Sequence, residues 1–198
     1  FLVIIMEGTA IAFTLCGGII ILVLVLWFFG VWNRLVRLEK DVDRAWSNID
    51  TVLQQRFDMI PNMVKIVMQY AGHEKEIFGE LTEARKTFAA ASKSGDVSGV
   101  MAAEAMASLA MPKLLALSED YPDLKANANF AALQDDYKEI EDQVTDQRQL
   151  YNSSATNFHT AIELVPNNIV ASFKGCTSRI LYEAQHQARG SVEINFDI

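Results

Sequence analysis

The residues with chemistry to offer are scattered along the chain rather than clustered. His73-Glu74 opens the one stretch where a metalloprotease helix could begin, but that motif needs a second histidine four residues on, and the sequence continues Lys75-Glu76-Ile77. A di-iron bundle needs Glu-x-x-His on paired helices. Glu80, Glu83, Glu104, Glu119 and Glu163 are the right type, yet none has a histidine three residues later. His159 and His186 have no cysteine or second histidine at ligand spacing. A Gly-rich phosphate loop, a G-x-S-x-G elbow and a motif-placed Cys-His pair are all missing from the sequence. The expectation is therefore no catalytic, cofactor-binding or metal residues and no small-molecule substrate. A metal protein built on bundle carboxylates is the alternative that metal analysis would address.

Other polar residues stand close to apolar positions: Asp50, Arg56, Asp58 and Asn62 around Pro61, and Asn127, Asn129, Asn152 and Asn157 further on. Two readings compete. Arg and Asp would pair to fix helix register while Asn side chains satisfy carbonyls freed at kinks, or the whole set would line a groove for a partner. Asn152-Ser153-Ser154 has the form of a glycosylation sequon but falls inside a helical pattern, and it is read as chance.

The elements that must carry these residues begin with a hydrophobic run. No charge occurs between Glu7 and Arg34, and Ile11 to Trp32 is long enough for a helix to cross a hydrocarbon core. Trp27, Trp32 and Asn33 follow its core like an interfacial belt, where a signal peptide would have a small-residue cleavage site. A single transmembrane helix over about residues 9–32 is predicted. Ala10, Thr14 and Gly18 give it a small-residue ridge at four-residue spacing, suited to close packing between helices in lipid. Arg34, Arg37, Lys40 and Arg44 follow the span, which places the rest of the chain on the cytoplasmic side of the cell (inner) membrane. Cys16 falls within the span and Cys176 near the far end of the chain, so a disulfide between them is not expected.

From Leu35 the apolar positions are Leu35, Leu38, Val42, Trp46, Ile49, Leu53, Phe57 and Ile60, an eleven-residue repeat whose period nearly matches a straight helix. With no Gly or Pro after Gly30, span and stripe predict one rod of roughly 45 to 50 residues, near 70 Å. Pro61 predicts a kink or break near Met59 to Asn62. A second helix is expected from Met63 to about Ala91, then a loop over Ser92 to Gly99, then a third helix from near Val97, containing Pro112 and ending before Tyr121-Pro122. The longest pattern runs from about Ala126 to Glu163 at near-heptad spacing, with Gln147 or Arg148 as a polar interruption that sets register. Pro166 closes it, and residues 168–173 could restart a shorter helix. The fold class is all-α, an N-terminal transmembrane helix continuous with a long antiparallel helical bundle. Residues 1–33 form the membrane segment, 34–190 the bundle and 191–198 a tail read as extended.

Acidic side chains outnumber basic ones, 25 to 17, for a net charge of −8, and no basic stripe with interleaved aromatics occurs. Nucleic acid is excluded as a partner.

The segments AWSNID (45–50), QRFDMIPNMV (55–64), YAGHEKEIF (70–78), EDYPDLKANANFAALQ (119–134) and YNSSATNFHTAIELVPNNIVA (151–171) resemble the LemA family, in the family's order. Trp46, Asp50, Arg56, Asp58, Pro61, Asn62, His73, Glu74, Tyr121, Pro122, Asp123, Lys125, Asn127, Asn129, Tyr151, Asn152 and Pro166 fall within those strings and are the candidate interaction residues. The match departs at Val165 and at Phe173-Lys174-Gly175, where family members often carry an aromatic residue and a Phe-Gly-Phe-like string. The resemblance implies an N-terminally anchored helical bundle without an established reaction, in a family linked to membrane-associated proteolysis and to magnetosome membranes. The leading expectation is a membrane-tethered scaffold or adaptor that binds a membrane protein partner or forms homo-oligomers. Alternatives are a subunit of a filament or envelope structure, suggested by Phe1 and Glu7, and a regulator of a membrane protease.

Overall fold

The computed structural model describes residues 2–182, with side chains from residue 15 onward. Its elements are α1 (Leu2–Tyr70), α2 (Lys75–Ser94), α3 (Val97–Asp120), α4 (Pro122–Lys125), α5 (Ala128–Glu163) and α6 (Asn167–Lys174). No strand occurs among the described residues, and the fold is all-α. The expected extended tail at 191–198 and His186 lie outside the described residues.

Helix α1 changes character along its length. Ile19 to Trp27 are all exposed, between 37 and 64 %, so the helix is apolar all round there, as a segment in hydrocarbon must be. Burial starts at Val31. Beyond it the predicted stripe becomes a buried face: Leu35, Val42, Ile49, Leu53, Phe57 and Ile60 are at most 2 % exposed. The side chains of Ala10 and Thr14 lie outside the described residues, and a Cβ at Gly18 would meet nothing within 4 Å.

Of the kink or break expected near Met59 to Asn62, the break does not occur. Helix α1 runs through Pro61 to Tyr70, although an interior proline forfeits a hydrogen bond and crowds the carbonyl four residues earlier. Phe57, Ile60, Met63 and Val67 are buried on both sides of it, and Pro61 itself is exposed. Their packing outweighs the local penalty. The chain turns instead at residues 71–74, so α2 begins at Lys75 rather than Met63. Helix α3 likewise passes through exposed Pro112 with Met111 and Leu114 buried beside it. The loop expected over Ser92 to Gly99 contracts to Gly95-Asp96. Gly95 takes the left-handed conformation (φ 69°), and the N–H groups of Gly95 and Asp96 close the end of α2 on the carbonyls of Ser92 and Ala91.

The helices form two compact units. One combines residues up to Asp43 with Ser154–Arg179. Its core is Val31, Leu35, Ala161, Val170 and Ala171, with Phe28, Trp32, Leu38, Ile162 and Cys176 packed against it. The other combines Arg44–Ser153 with residues 180–182. In it α1, α2, α3 and α5 form an antiparallel four-helix bundle. Asp50 meets Ser92 and Phe57 stacks on Phe88, so α2 descends along α1. Glu80 meets Lys113, so α3 ascends beside α2. Trp46 meets Tyr151 while Tyr70 meets Asn127, so α5 returns along α1. Helix α3 is also long and apolar enough to cross a membrane, but Val100, Ala103, Ala107, Ala110, Met111 and Leu114 are buried in this core.

Candidate functional site

The most concentrated polar chemistry lies in the middle of the four-helix unit, around Arg56. Its position follows from helical geometry: Arg56 sits between Leu53 and Phe57 on the buried face of α1 and is fully buried. Nη1 donates to Glu104 Oε1 at 2.8 Å, and Nη2 donates to Ser108 Oγ at 3.1 Å and to Tyr137 OH at 2.5 Å. The same Nη2 pairs with Glu141 Oε2 at 2.8 Å. The guanidinium lies 5.3 Å from the Tyr137 ring centre. Ser108 donates to Glu104 Oε1 at 2.8 Å, and Arg148 forms a further short ion pair with the same oxygen.

Two arginines and two glutamates from α1, α3 and α5 thus balance in charge around one buried point. Burial works against the Arg56 charge, but Tyr137, Glu141 and Glu104 together hold its pKa above the ordinary value. Burial also pushes the Tyr137 phenol up to about 12, opposed by the adjacent Arg56. The arrangement is a clamp. The Ser108 hydroxyl has its hydrogen committed to Glu104. Among the described residues no three His, Cys, Asp or Glu side chains converge as a metal set.

Arg56 pairs with Glu104 and Glu141 across the core and not with the nearby Asp50 or Asp58. Asp50 accepts from Ser92 Oγ at 3.1 Å, and Asp58 accepts from Gln54 Nε2 at 3.0 Å at the surface. Asn127 and Asn152 each bind backbone groups of other residues. Asn127 Oδ1 accepts from the N–H groups of Asn129 and Phe130 at 2.9 and 3.1 Å, capping α5, while its Nδ2 donates to Tyr70 OH at 3.1 Å. Asn152 Nδ2 donates to the Tyr182 carbonyl at 3.0 Å and its Oδ1 accepts from the Tyr182 N–H at 2.9 Å. Asn157 is exposed on α5.

Tyr182 completes an aromatic cluster at the other end of the same unit. Its ring stacks on Trp46 at 6.3 Å, meets Tyr151 edge-on at 6.0 Å and has the Arg148 guanidinium 5.6 Å from its centre. Burial, with Glu104 nearby, raises its phenol pKa. Tyr151 OH donates to the Ile180 carbonyl at 2.7 Å, fixing the same segment.

The remaining candidates are dispersed. Pro61 borders an apolar groove of about 730 Å³ between α1 and α2, floored by Ile60, Val64 and Met68 and rimmed by Lys65, Arg85 and Lys86. Asn62 and Asn129 line a shallower hollow between α1 and α5. His73 is exposed in the turn before α2, and Glu74 precedes that helix without capping it through its side chain. Tyr121 joins α3 to α4, Pro122 opens α4, and Asp123 and Lys125 are exposed along it. Pro166, after a cis peptide bond, stands at the start of α6.

Sequence reasoning missed the roles of Glu104, Ser108, Tyr137, Glu141 and Tyr182. Glu104 did leave a signal: it shares a helical face with Val100, Ala107 and Met111, so an acid stands where the pattern calls for an apolar residue. Tyr182 follows the last helix by several residues and belongs to no periodic pattern.

Two kinds of relatedness bear on this architecture. Residues 45–196 match the profile of the LemA family. Magnetosome protein MamQ of Magnetospirillum gryphiswaldense is 22 % identical over 73 % of this chain and 61 % of its own length. Magnetosome proteins MamQ 1 and MamQ 2 of Paramagnetospirillum magneticum are 23 % identical with the same coverage. The chain therefore spans about three-fifths of the length of these curated relatives. With the profile matched from the Trp46 cluster through the Arg56 clamp and beyond Tyr182, this helical, membrane-associated chain belongs to the LemA family.

Proposed function

We propose that this protein is a single-pass, membrane-anchored helical adaptor that presents its bundle to a protein partner and carries out no catalysis. The observation that carries the reading is the contrast within α1: Ile19 to Trp27 are bare and apolar, whereas the stripe from Leu35 onward is buried. The charged groups of the interior are committed to the clamp that locks three helices together, which supports a mechanical role. The MamQ relatives are likewise named as magnetosome proteins and not by a reaction. The groove beside Pro61 supports the adaptor role, since Met68 on its floor is 52 % exposed and Lys65, Arg85 and Lys86 surround it. By the positive-inside rule, Arg34, Arg37, Lys40 and Arg44 put the bundle in the cytoplasm. The open surface at Gly18 would serve self-association in the bilayer.

Alkaline carbonate extraction of native membranes tests the anchor: the protein stays in the pellet, and release into the supernatant refutes it. Protease added to intact spheroplasts should leave the bundle uncut, and digestion refutes the orientation. A photoreactive residue at Met68 should crosslink one discrete protein in native membranes, where one at Thr145 on α5 does not. Equal labelling from both positions refutes the adaptor role.

A further inference from the structure

We propose that the α5–α6 turn and helix α6 form a second contact with the membrane, with Leu164, Val165, Ile169 and Phe173 seated in the interfacial layer where α1 leaves the hydrocarbon. The inference rests on reading α1 as a membrane span.

These four large apolar residues occur within ten positions and are 55, 78, 55 and 76 % exposed. Elsewhere among the described residues, outside the bare part of α1, large exposed apolar side chains come singly or in pairs, as at Met68 or Met106 and Leu109. Single exposures need no explanation, whereas a contiguous set marks a contact surface. Ile169 and Phe173 are one turn apart and share a face of α6. The other face is occupied: Val170 and Ala171 belong to the core with Val31, Leu35 and Ala161. Helix α6 is therefore apolar on two sides, and only one of them is covered by protein.

The location of the bare side identifies what covers it. The Phe173 ring meets the Phe28 ring edge-on at 6.5 Å, and Phe28 lies between exposed Trp27 and Phe29. The uncovered face of α6 is thus continuous with the bare apolar surface of α1, at the level where burial by protein begins. A protein partner seated there would have to displace lipid from the end of the span. On the water side, Lys174 is tied to Glu39, with Arg179 beside that carboxylate. Exposed Arg34 and Arg37 follow on α1 and suit the headgroup layer. Trp27 and Trp32 complete an interfacial belt. The arrangement gives the membrane two points of contact, a span and an amphipathic wedge.

The test uses the full chain with Cys16→Ser and Cys176→Ser, spin-labelled in turn at Val165→Cys and Phe173→Cys, in vesicles of phosphatidylcholine and phosphatidylglycerol. Collision rates with oxygen, which concentrates in the bilayer, are compared with those of a water-soluble nickel chelate. Leu22→Cys supplies the hydrocarbon reference and Asp135→Cys the aqueous one. The expected oxygen-to-nickel ratio at both Val165 and Phe173 is several-fold above that at Asp135. A ratio equal to the Asp135 value, with Leu22 still in hydrocarbon, overturns this inference and leaves the span intact. Immobile labels shielded from both reagents, meaning a protein or a second copy covers the face, overturn it as well. A nickel-accessible Leu22 overturns the span and the inference together. Ile169→Cys replaces either position if that variant loses helical signal.

Discussion

Replacing Arg56 with methionine keeps an unbranched apolar stem, shorter than that of arginine, and removes the donors. The change breaks the ion pairs to Glu104 and Glu141 and the hydrogen bonds to Ser108 and Tyr137. Removing one partner of a buried ion pair destabilises by about 3–5 kcal/mol, because the other charge is left uncompensated. Two features put this case near the lower end. Glu104 keeps Arg148 and Ser108, and the Glu141 side chain, 37 % exposed, can take up water. The expected loss is about 3 kcal/mol, read from the 222 nm signal in a denaturant titration of the full chain in mild detergent. Asp58→Ala is the control, since its contact with Arg85 is 4.0 Å long between side chains 51 and 57 % exposed. It should cost less than about 0.5 kcal/mol. A cycle of Arg56→Met with Glu104→Gln should give a coupling above about 1 kcal/mol. A stabilising clamp at Arg56 is refuted if Arg56→Met is as stable as the parent, or if the two substitutions simply add.

Other outcomes follow from local geometry. Tyr137 titrates near 12 in the folded chain and near 10 when unfolded, so above pH 10 only the unfolded form gives up its proton. Stability should therefore fall as pH rises from 10 through 12, and Tyr137→Phe should flatten that fall in denaturant titrations at each pH. Asn127→Ala removes the cap of α5 and should cost about 1 kcal/mol in the same titration. Gly79 in α2 and Gly99 in α3 should behave oppositely by thermal melting. A Cβ at Gly99 meets the Ala91 Cβ at 2.8 Å and Asp96 Oδ2 at 2.6 Å, so Gly99→Ala destabilises by about 1–3 kcal/mol. A Cβ at Gly79 meets nothing within 4 Å, so Gly79→Ala stabilises by about 0.5–1 kcal/mol.

The helices of this fold were legible wherever one face is buried. The Leu35 to Ile60 repeat maps directly onto a buried stripe because helix period and burial are the same geometric fact. The end of α3 before Pro122 and the restart of a helix after Pro166 were legible for a similar reason, since proline acts locally. Pro61 misled because its local effect was weighed without the packing of Phe57, Ile60, Met63 and Val67, which only tertiary structure supplies. The turn at residues 71–74 has Gly72 as its one strong local signal and no proline. At the candidate site, Arg56 drew attention as a charge close to an apolar stripe. Its partners did not, because Glu104 and Glu141 lie 48 and 85 positions away and helical glutamates are ordinarily solvated. The C-terminal contribution of Tyr182 was illegible, since its contacts run through its own backbone and rings and follow no period.

The way Asn152 holds Tyr182 has a consequence for how the chain finishes its bundle. A carboxamide holds its NH2 and its oxygen in one plane, and Asn152 uses one N–H and the oxygen on a single residue's backbone, so a side chain on α5 behaves as one residue of strand edge. Its two bonds go to the N–H and C=O of residue 182 and not to its ring. Backbone docking and aromatic packing are therefore separable at this position: another residue at 182 changes what stacks on Trp46 while remaining pinned in place. Asn152→Asp inverts the logic, keeping the acceptor for the N–H and turning the former donor into a second oxygen facing a carbonyl. The ring cluster would then lose its alignment although every ring is still present.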